Sequence, residues 1–190
     1  MNDVWDGFVR ELRRQGLTVK KVPGWKTRTA GGSFTPRGVL IHHTASASVS
    51  GDLPCAGICT HGRAGADPLP GPLCNILIGR QGTVLLIAAG RANHAGEGGP
   101  HADIPVNQGS TNLVGIECEN DGLGEPWPDE QKRVMGIVSA TLLKRLDQPA
   151  RMCFGHKEWT SRKPDPAGIE MSQFRERVQK VLRDLRATGN

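Results

Sequence analysis

The side chains that can bind a metal or move a proton lie in a few short stretches. GVLIHHTAS, residues 38–46, ends an apolar run on His42 and His43. GRANHAG (90–96) presents His94 in a glycine-flanked turn, and NLVGIECEND (112–121) carries Glu117 and Glu119. FGHKEWTSRKPDPAG (154–168) holds His156, Lys157, Arg162, Lys163 and Asp165, with prolines on both sides of the aspartate. Pro164 fixes its own φ and Pro166 favours an extended backbone at Asp165, so a short carboxylate is projected in a defined direction. With His42 ending one strand and His156 another, two imidazoles and the Asp165 carboxylate make a suitable ligand set for zinc, the fourth position being left to water. An open position is what separates a catalytic zinc from a structural one. Spacing alone is equally compatible with unconnected histidines and an ordinary Pro-Asp-Pro turn. Cys55, Cys59 and His61 offer a second metal possibility, but C-x3-C-x-H matches structural zinc spacing poorly and no second pair follows.

The elements that must position these groups are legible from periodicity. Trp5, Phe8, Val9 and Leu12 fall at i, i+3, i+4 and i+7, which predicts an amphipathic helix over 3–15, capped by Asn2 or Asp3 and ended by Gly16. Residues 38–45 read as a buried strand, and only one of His42 and His43 can face a given site. Residues 46–72 show no period and read as a long loop of the kind that walls binding sites. Residues 74–90 read as a hairpin turning at Arg80-Gln81-Gly82. In the strand at 112–121 one face takes Leu113, Gly115, Glu117 and Glu119, and Gly115 leaves open space beside Glu117. A helix over 129–146 follows Pro128 with Val134, Ile137, Val138, Leu142 and Leu146 in one stripe. A short strand at 150–155 delivers His156, and a last helix, capped by Ser172, buries Phe174, Val178, Val181, Leu182 and Leu185.

At 190 residues the chain supports one good core. The absence of tyrosine and an aromatic content of 4% argue against a base-stacking platform. The net charge of +5 fits solubility or an anionic partner, but the basic residues are spread along the chain, so nucleic acid is not an expected partner. No apolar run approaches the ~20 residues of a membrane span. The N-terminal stretch lacks the pattern of a secretory signal, and the expectation is a cytosolic monomer whose five cysteines stay as thiols.

Taken in order, GVLIHHTAS, the hairpin leading into GRANHAG, the strand GIECE, and GHKEWTSRKPDPAG resemble the zinc-dependent N-acetylmuramoyl-L-alanine amidases of the type 2 family. That family includes phage lysozyme-amidases, bacterial muropeptide-recycling amidases and animal peptidoglycan recognition proteins. The resemblance implies an α/β fold: a single domain over 1–190 with a mixed central β-sheet flanked by helices. A helix and lead-in at 1–20 would precede a catalytic core at 36–185. It implies one catalytic Zn2+ held by His42 (rather than His43), His156 and Asp165. Glu117 would be the proton-transferring base and Lys163 the oxyanion stabiliser, with His94 and Asn75 binding substrate or supporting the oxyanion. Many members carry a tyrosine where this chain has Cys74, which puts more weight on Glu117 and Lys163. The implied reaction is cleavage of the amide between N-acetylmuramic acid and L-alanine of peptidoglycan. The expected setting is a phage endolysin held in the host cytoplasm until released to the cell wall. A cytosolic recycling amidase or a non-catalytic peptidoglycan-binding module are the alternatives.

Overall fold

A computed structural model describes residues 2–47 and 51–188. In chain order it has α1 (Asn2–Arg14), β1 (Val19–Lys21), β2 (Val39–His43), α2 (Ala56–His61), β3 (Gly62–Arg63), β4 (Leu69–Pro70), β5 (Ile76–Ile78) and β6 (Val84–Leu86). There follow α3 (Gly109–Asn112), β7 (Val114–Cys118), α4 (Asp129–Arg145), a 3-10 turn (Ala150–Met152), β8 (Cys153–Gly155), α5 (His156–Trp159) and α6 (Met171–Ala187). Six strands form one mixed sheet in the order β1-β6-β5-β7-β2-β8. All neighbours are parallel except β5 and β6, which are the two arms of the expected hairpin.

Strand alternation explains where the core and the chemistry go. Val39, Ile41, Ile76, Ile78, Ile116 and Cys118 are buried in the larger core, while Leu77, Leu85 and Ile87 belong to a smaller cluster with Cys59 and Cys74. His42 and Glu117 have the second parity, and they are register partners on the parallel strands β2 and β7. Their side chains therefore leave the same face of the sheet, next to each other.

The helices supply the other wall of the main core. α4 packs between α1 and α6 and lies on β2 and β5. That double coverage buries nearly everything from Val134 to Leu143, including Ser139 and Thr141, so the single stripe expected for this helix widens to most of its circumference. α1 buries Trp5, Phe8, Val9 and Leu12 as its spacing requires, and Gly16 ends it with a φ of 76°. The side chains of Asn2 and Asp3, the expected caps, lie outside the described residues. Phe8 is fully buried, and truncating it to alanine should cost about 3–5 kcal/mol.

Two sequence expectations are corrected. Residues 46–72 are not featureless: α2 and the β3–β4 ribbon fold within them. α2 was masked because its six residues, AGICTH, are too few to display a period. α6 is capped by Glu170, whose carboxylate accepts the Ser172 N–H at 3.2 Å, so Ser172 is inside the helix.

Candidate metal centre and its groove

His42 leaves the C-terminal end of β2, and His156 follows the C-terminal end of β8, the strand paired with β2 on its other side. Asp165 comes back to them from the loop after α5. Five hydrogen bonds fix that loop. Lys157 donates its backbone N–H to the Asp165 carbonyl at 2.8 Å, and its ammonium donates to the carbonyls of Pro166 (3.1 Å) and Ile169 (2.7 Å). His43 accepts the Ala167 N–H on Nδ1 at 3.2 Å, and the Trp127 indole N–H donates to the Ala167 carbonyl at 2.8 Å. Lys157 and His43 thus brace the aspartate segment, which their positions in the sequence did not reveal.

The donor atoms of His42, His156 and Asp165 converge. Each imidazole Nδ1 lies 3.0 Å from Asp165 Oδ2, and the two Nδ1 atoms are 3.0 Å apart. All three residues are buried, and among the described residues this is the only His/Cys/Asp/Glu group whose donors cluster in this way. Cys55, Cys59 and His61 do not form such a group.

Proton assignment on the hydrogen-bond network gives a direct test of whether this trio suits a cation. His156 Nε2 faces the Ala95 carbonyl at 3.1 Å, which accepts only, so this nitrogen carries the proton and Nδ1 of the neutral ring keeps a lone pair. His94 Nε2 faces the Leu113 carbonyl at 3.1 Å, so its Nδ1 is an acceptor. His42 Nε2, 3.1 Å from His94 Nδ1, must then donate, which leaves a lone pair on His42 Nδ1 as well. Two lone pairs and a carboxylate oxygen point at one place with no proton between them. Such an arrangement suits a bound cation, and a backing partner on each ring is how metal-binding imidazoles are oriented. Burial pushes the His42 pKa down to about 4, keeping the ring neutral.

The loop at 93–95 therefore backs both imidazoles, through the His94 ring and the Ala95 carbonyl. Ser110 Oγ anchors it by accepting the N–H groups of His94 (3.4 Å) and Ala95 (3.1 Å). Gly115 makes this possible: a Cβ there would fall 2.5–2.8 Å from atoms of the His94 ring. The space that Gly115 opens is filled by His94 rather than left beside Glu117. With both nitrogens bonded inside the protein, His94 orients His42; it has none left for an oxyanion. Asn75 is also placed differently from its expected role. It is fully buried, its amide donates to the carbonyls of Ala88 (3.0 Å) and Gly90 (2.7 Å), and its oxygen accepts the Gly115 N–H at 2.9 Å. It ties the hairpin to β7, and its side-chain amide is bonded within the fold.

Glu117 and Lys163 line a cavity of about 390 Å³ together with His42, His156 and Asp165. One wall is Thr44, Ala45, Cys55, Ile58 and Cys59. The cavity shares Arg63, Leu69, Asn93, His94, His156 and Lys163 with a second one of about 650 Å³, so the two form a continuous groove. Glu117 Oε2 is buried with no hydrogen-bond partner. Desolvation, helped by the negative charges of Asp165 and Glu119 and opposed by Lys163, raises its pKa to about 8. Cysteine chemistry is disfavoured here: burial raises the Cys55 thiol to about 11, and the Cys59 and Cys74 thiols, in contact with each other, are also pushed up.

The Amidase_2 family model, N-acetylmuramoyl-L-alanine amidase, matches residues 32–168. Among solved structures, the chain is similar to the catalytic domain of XlyA, with 17% identity and a TM-score of 0.63 over 85% of this chain and 99% of that one. It is similar to the endolysin N-acetylmuramoyl-L-alanine amidase LysCS from Clostridium intestinale URNW, with 18% identity and a TM-score of 0.58 over 85% and 95% of the two chains. It is also similar to AmpDh3 from Pseudomonas aeruginosa, solved in complex with an anhydromuramic pentapeptide: 19% identity, a TM-score of 0.60, and 82% and 65% coverage. No curated protein matches the sequence.

Proposed function

The chain belongs to the N-acetylmuramoyl-L-alanine amidase family and is an amidase acting on peptidoglycan; on that premise we propose that it is a zinc enzyme working on the intact cell wall, as an endolysin does. The observation that carries the metal assignment is the convergence of two imidazole lone pairs and one carboxylate oxygen with no proton among them. His42, His156 and Asp165 would hold the ion. Bound there, zinc supplies Lewis acidity toward water and the scissile carbonyl.

The remaining chemistry falls to the chain's own side chains. Amide hydrolysis needs a group that takes a proton from water as its oxygen bonds to the carbonyl carbon, then gives that proton to the amine as the C–N bond breaks. Glu117 meets the requirement because one oxygen is unpaired, it lines the groove beside His42, and its pKa of about 8 lies near neutrality. Lys163 lines the same cavity, is exposed, and supplies positive charge for the oxyanion of the tetrahedral intermediate. His94, His43 and Lys157 hold the metal ligands in place.

The wall-lysing reading draws on the likeness to endolysin amidases and on a groove continuous over two cavities. The bound anhydromuramic pentapeptide of AmpDh3 favours a second reading, cleavage of soluble muropeptides. Digestion of whole sacculi beside soluble fragments separates them. Release of stem peptides beginning with L-alanine from sacculi supports the wall enzyme, and release from fragments alone supports the second.

A further inference from the structure

Glu119 follows β7, two residues beyond Glu117, and is fully buried although no zinc or proton chemistry calls on it. Its carboxylate is saturated with donors from three separate segments. Oε1 accepts the Cys55 N–H at 2.8 Å. Oε2 accepts the hydroxyls of Ser46 (2.9 Å) and Thr44 (3.2 Å) and faces Arg80 Nη1 at 3.4 Å. Arg80 is itself fixed by Glu125 at 2.5 and 2.7 Å and donates to the Ser46 carbonyl at 3.0 Å. The backbone of Glu119 is equally held, its N–H by the Ile78 carbonyl at 2.9 Å and its C=O by the Gln131 amide at 2.9 Å.

The segments that Glu119 holds are one wall of the groove. Thr44, Ala45, Cys55, Ile58 and Cys59 face the cavity that contains His42 and Glu117. Between the two hydroxyls on Oε2 sits Ala45, with a φ of 52°, a left-handed conformation that a non-glycine residue adopts only when its surroundings enforce it. The 55–59 part of the wall also packs on the smaller apolar cluster through Cys59, Cys55 and Ala56, whereas Ile58 is 45% exposed.

We infer that Glu119 is a positioning residue for substrate: it holds Thr44–Ser46 and Cys55–Cys59 as a fixed groove wall and thereby sets substrate affinity without taking part in the proton transfers or in metal binding. The inference rests on the amidase reading of the groove. It is tested with Glu119→Gln, which keeps an acceptor for the Cys55 N–H but loses the charge facing Arg80, and with Ser46→Ala, which removes one donor and leaves the carboxylate in place. Zinc content, steady-state kinetics on a soluble muramyl peptide, and hydrogen exchange of peptides covering 44–46 and 55–61 are measured for both. The expected result is a KM raised about three- to tenfold, in line with the loss of one hydrogen bond. kcat should stay within about twofold for Ser46→Ala and, for Glu119→Gln, within about twofold at the variant's own pH optimum, because losing the Glu119 charge lowers the Glu117 pKa. Zinc should stay stoichiometric and both wall segments should exchange faster. Wild-type KM with wild-type exchange would overturn the inference. So would loss of zinc, or a fall in kcat at unchanged KM. A wild-type protein inactive on every muramyl peptide would instead refute the amidase reading, and the exchange data would still decide whether Glu119 holds the wall.

Discussion

Two carboxylates, Glu117 and Glu119, leave the same end of β7 toward the same face of the sheet, yet their surroundings are opposite. Glu119 is enclosed by a backbone N–H, two hydroxyls and a guanidinium, so both of its oxygens are bonded within the structure. Glu117 has a buried oxygen with no partner and is pressed by the negative charges of Asp165 and Glu119. A saturated buried acid fixes loops. An unsaturated one beside three converging ligand atoms is poised to exchange protons. The same division runs through the histidines. His94 spends both nitrogens inside the protein, while His42 and His156 each keep one lone pair for the site.

The contrast can be broken hardest at the metal. His42→Ala should abolish both zinc binding and hydrolysis, since a three-residue ligand set cannot spare one; metal analysis beside an activity assay checks it. Glu117→Gln should retain zinc and fold while losing about 10²- to 10⁴-fold in kcat. That variant also sharpens the electrostatic half of the comparison. Glu117 titrates near 8 in the metal-free protein against 4.5 in a free chain, so the folded state holds a proton that the unfolded state releases between those values. Stability from this group is full below about 4.5 and falls as pH rises through 8. Melting of metal-free protein at pH 5 and pH 9 should show a loss on the order of a few kcal/mol in the wild type that is absent from Glu117→Gln. Lys163→Met should lower kcat by roughly 10²-fold with little change in melting temperature, because the lysine is exposed. The smallest effect belongs to the saturated side: Ser46→Ala should move KM by a few-fold and leave kcat and zinc unchanged.

How much of this was legible in the chain follows from what each feature is made of. Strands β2, β5, β6, β7 and β8 and helices α1, α4 and α6 were readable because burial imposes patterns on the residues facing a core, whereas the three-residue edge strand β1 was too short to show one. His42, His156 and Asp165 could be nominated from residue type, strand ends and flanking prolines, but the choice of this set, His42 rather than His43 included, came from the family resemblance. The backing of those ligands was not legible, since Ala95 and Leu113 act through backbone carbonyls that any residue would supply. His94 was singled out, but the part it plays depends on the Gly115 vacancy across the sheet, which sequence cannot pair with it. Asn75 was drawn into the site by its neighbourhood in sequence, and the structure spends it on joining two strands. Glu119 resembled Glu117 in type and face, and only the donors arriving from three distant loops tell them apart.

The most direct test compares wild type and Glu117→Gln, each loaded with zinc and incubated with peptidoglycan, by mass analysis of the released material together with metal content. The wild type should liberate stem peptides beginning with L-alanine. Glu117→Gln, holding one zinc per chain, should liberate almost none. A zinc-loaded Glu117→Gln that releases those peptides at the wild-type rate would contradict the assignment of the unpaired carboxylate as the proton carrier.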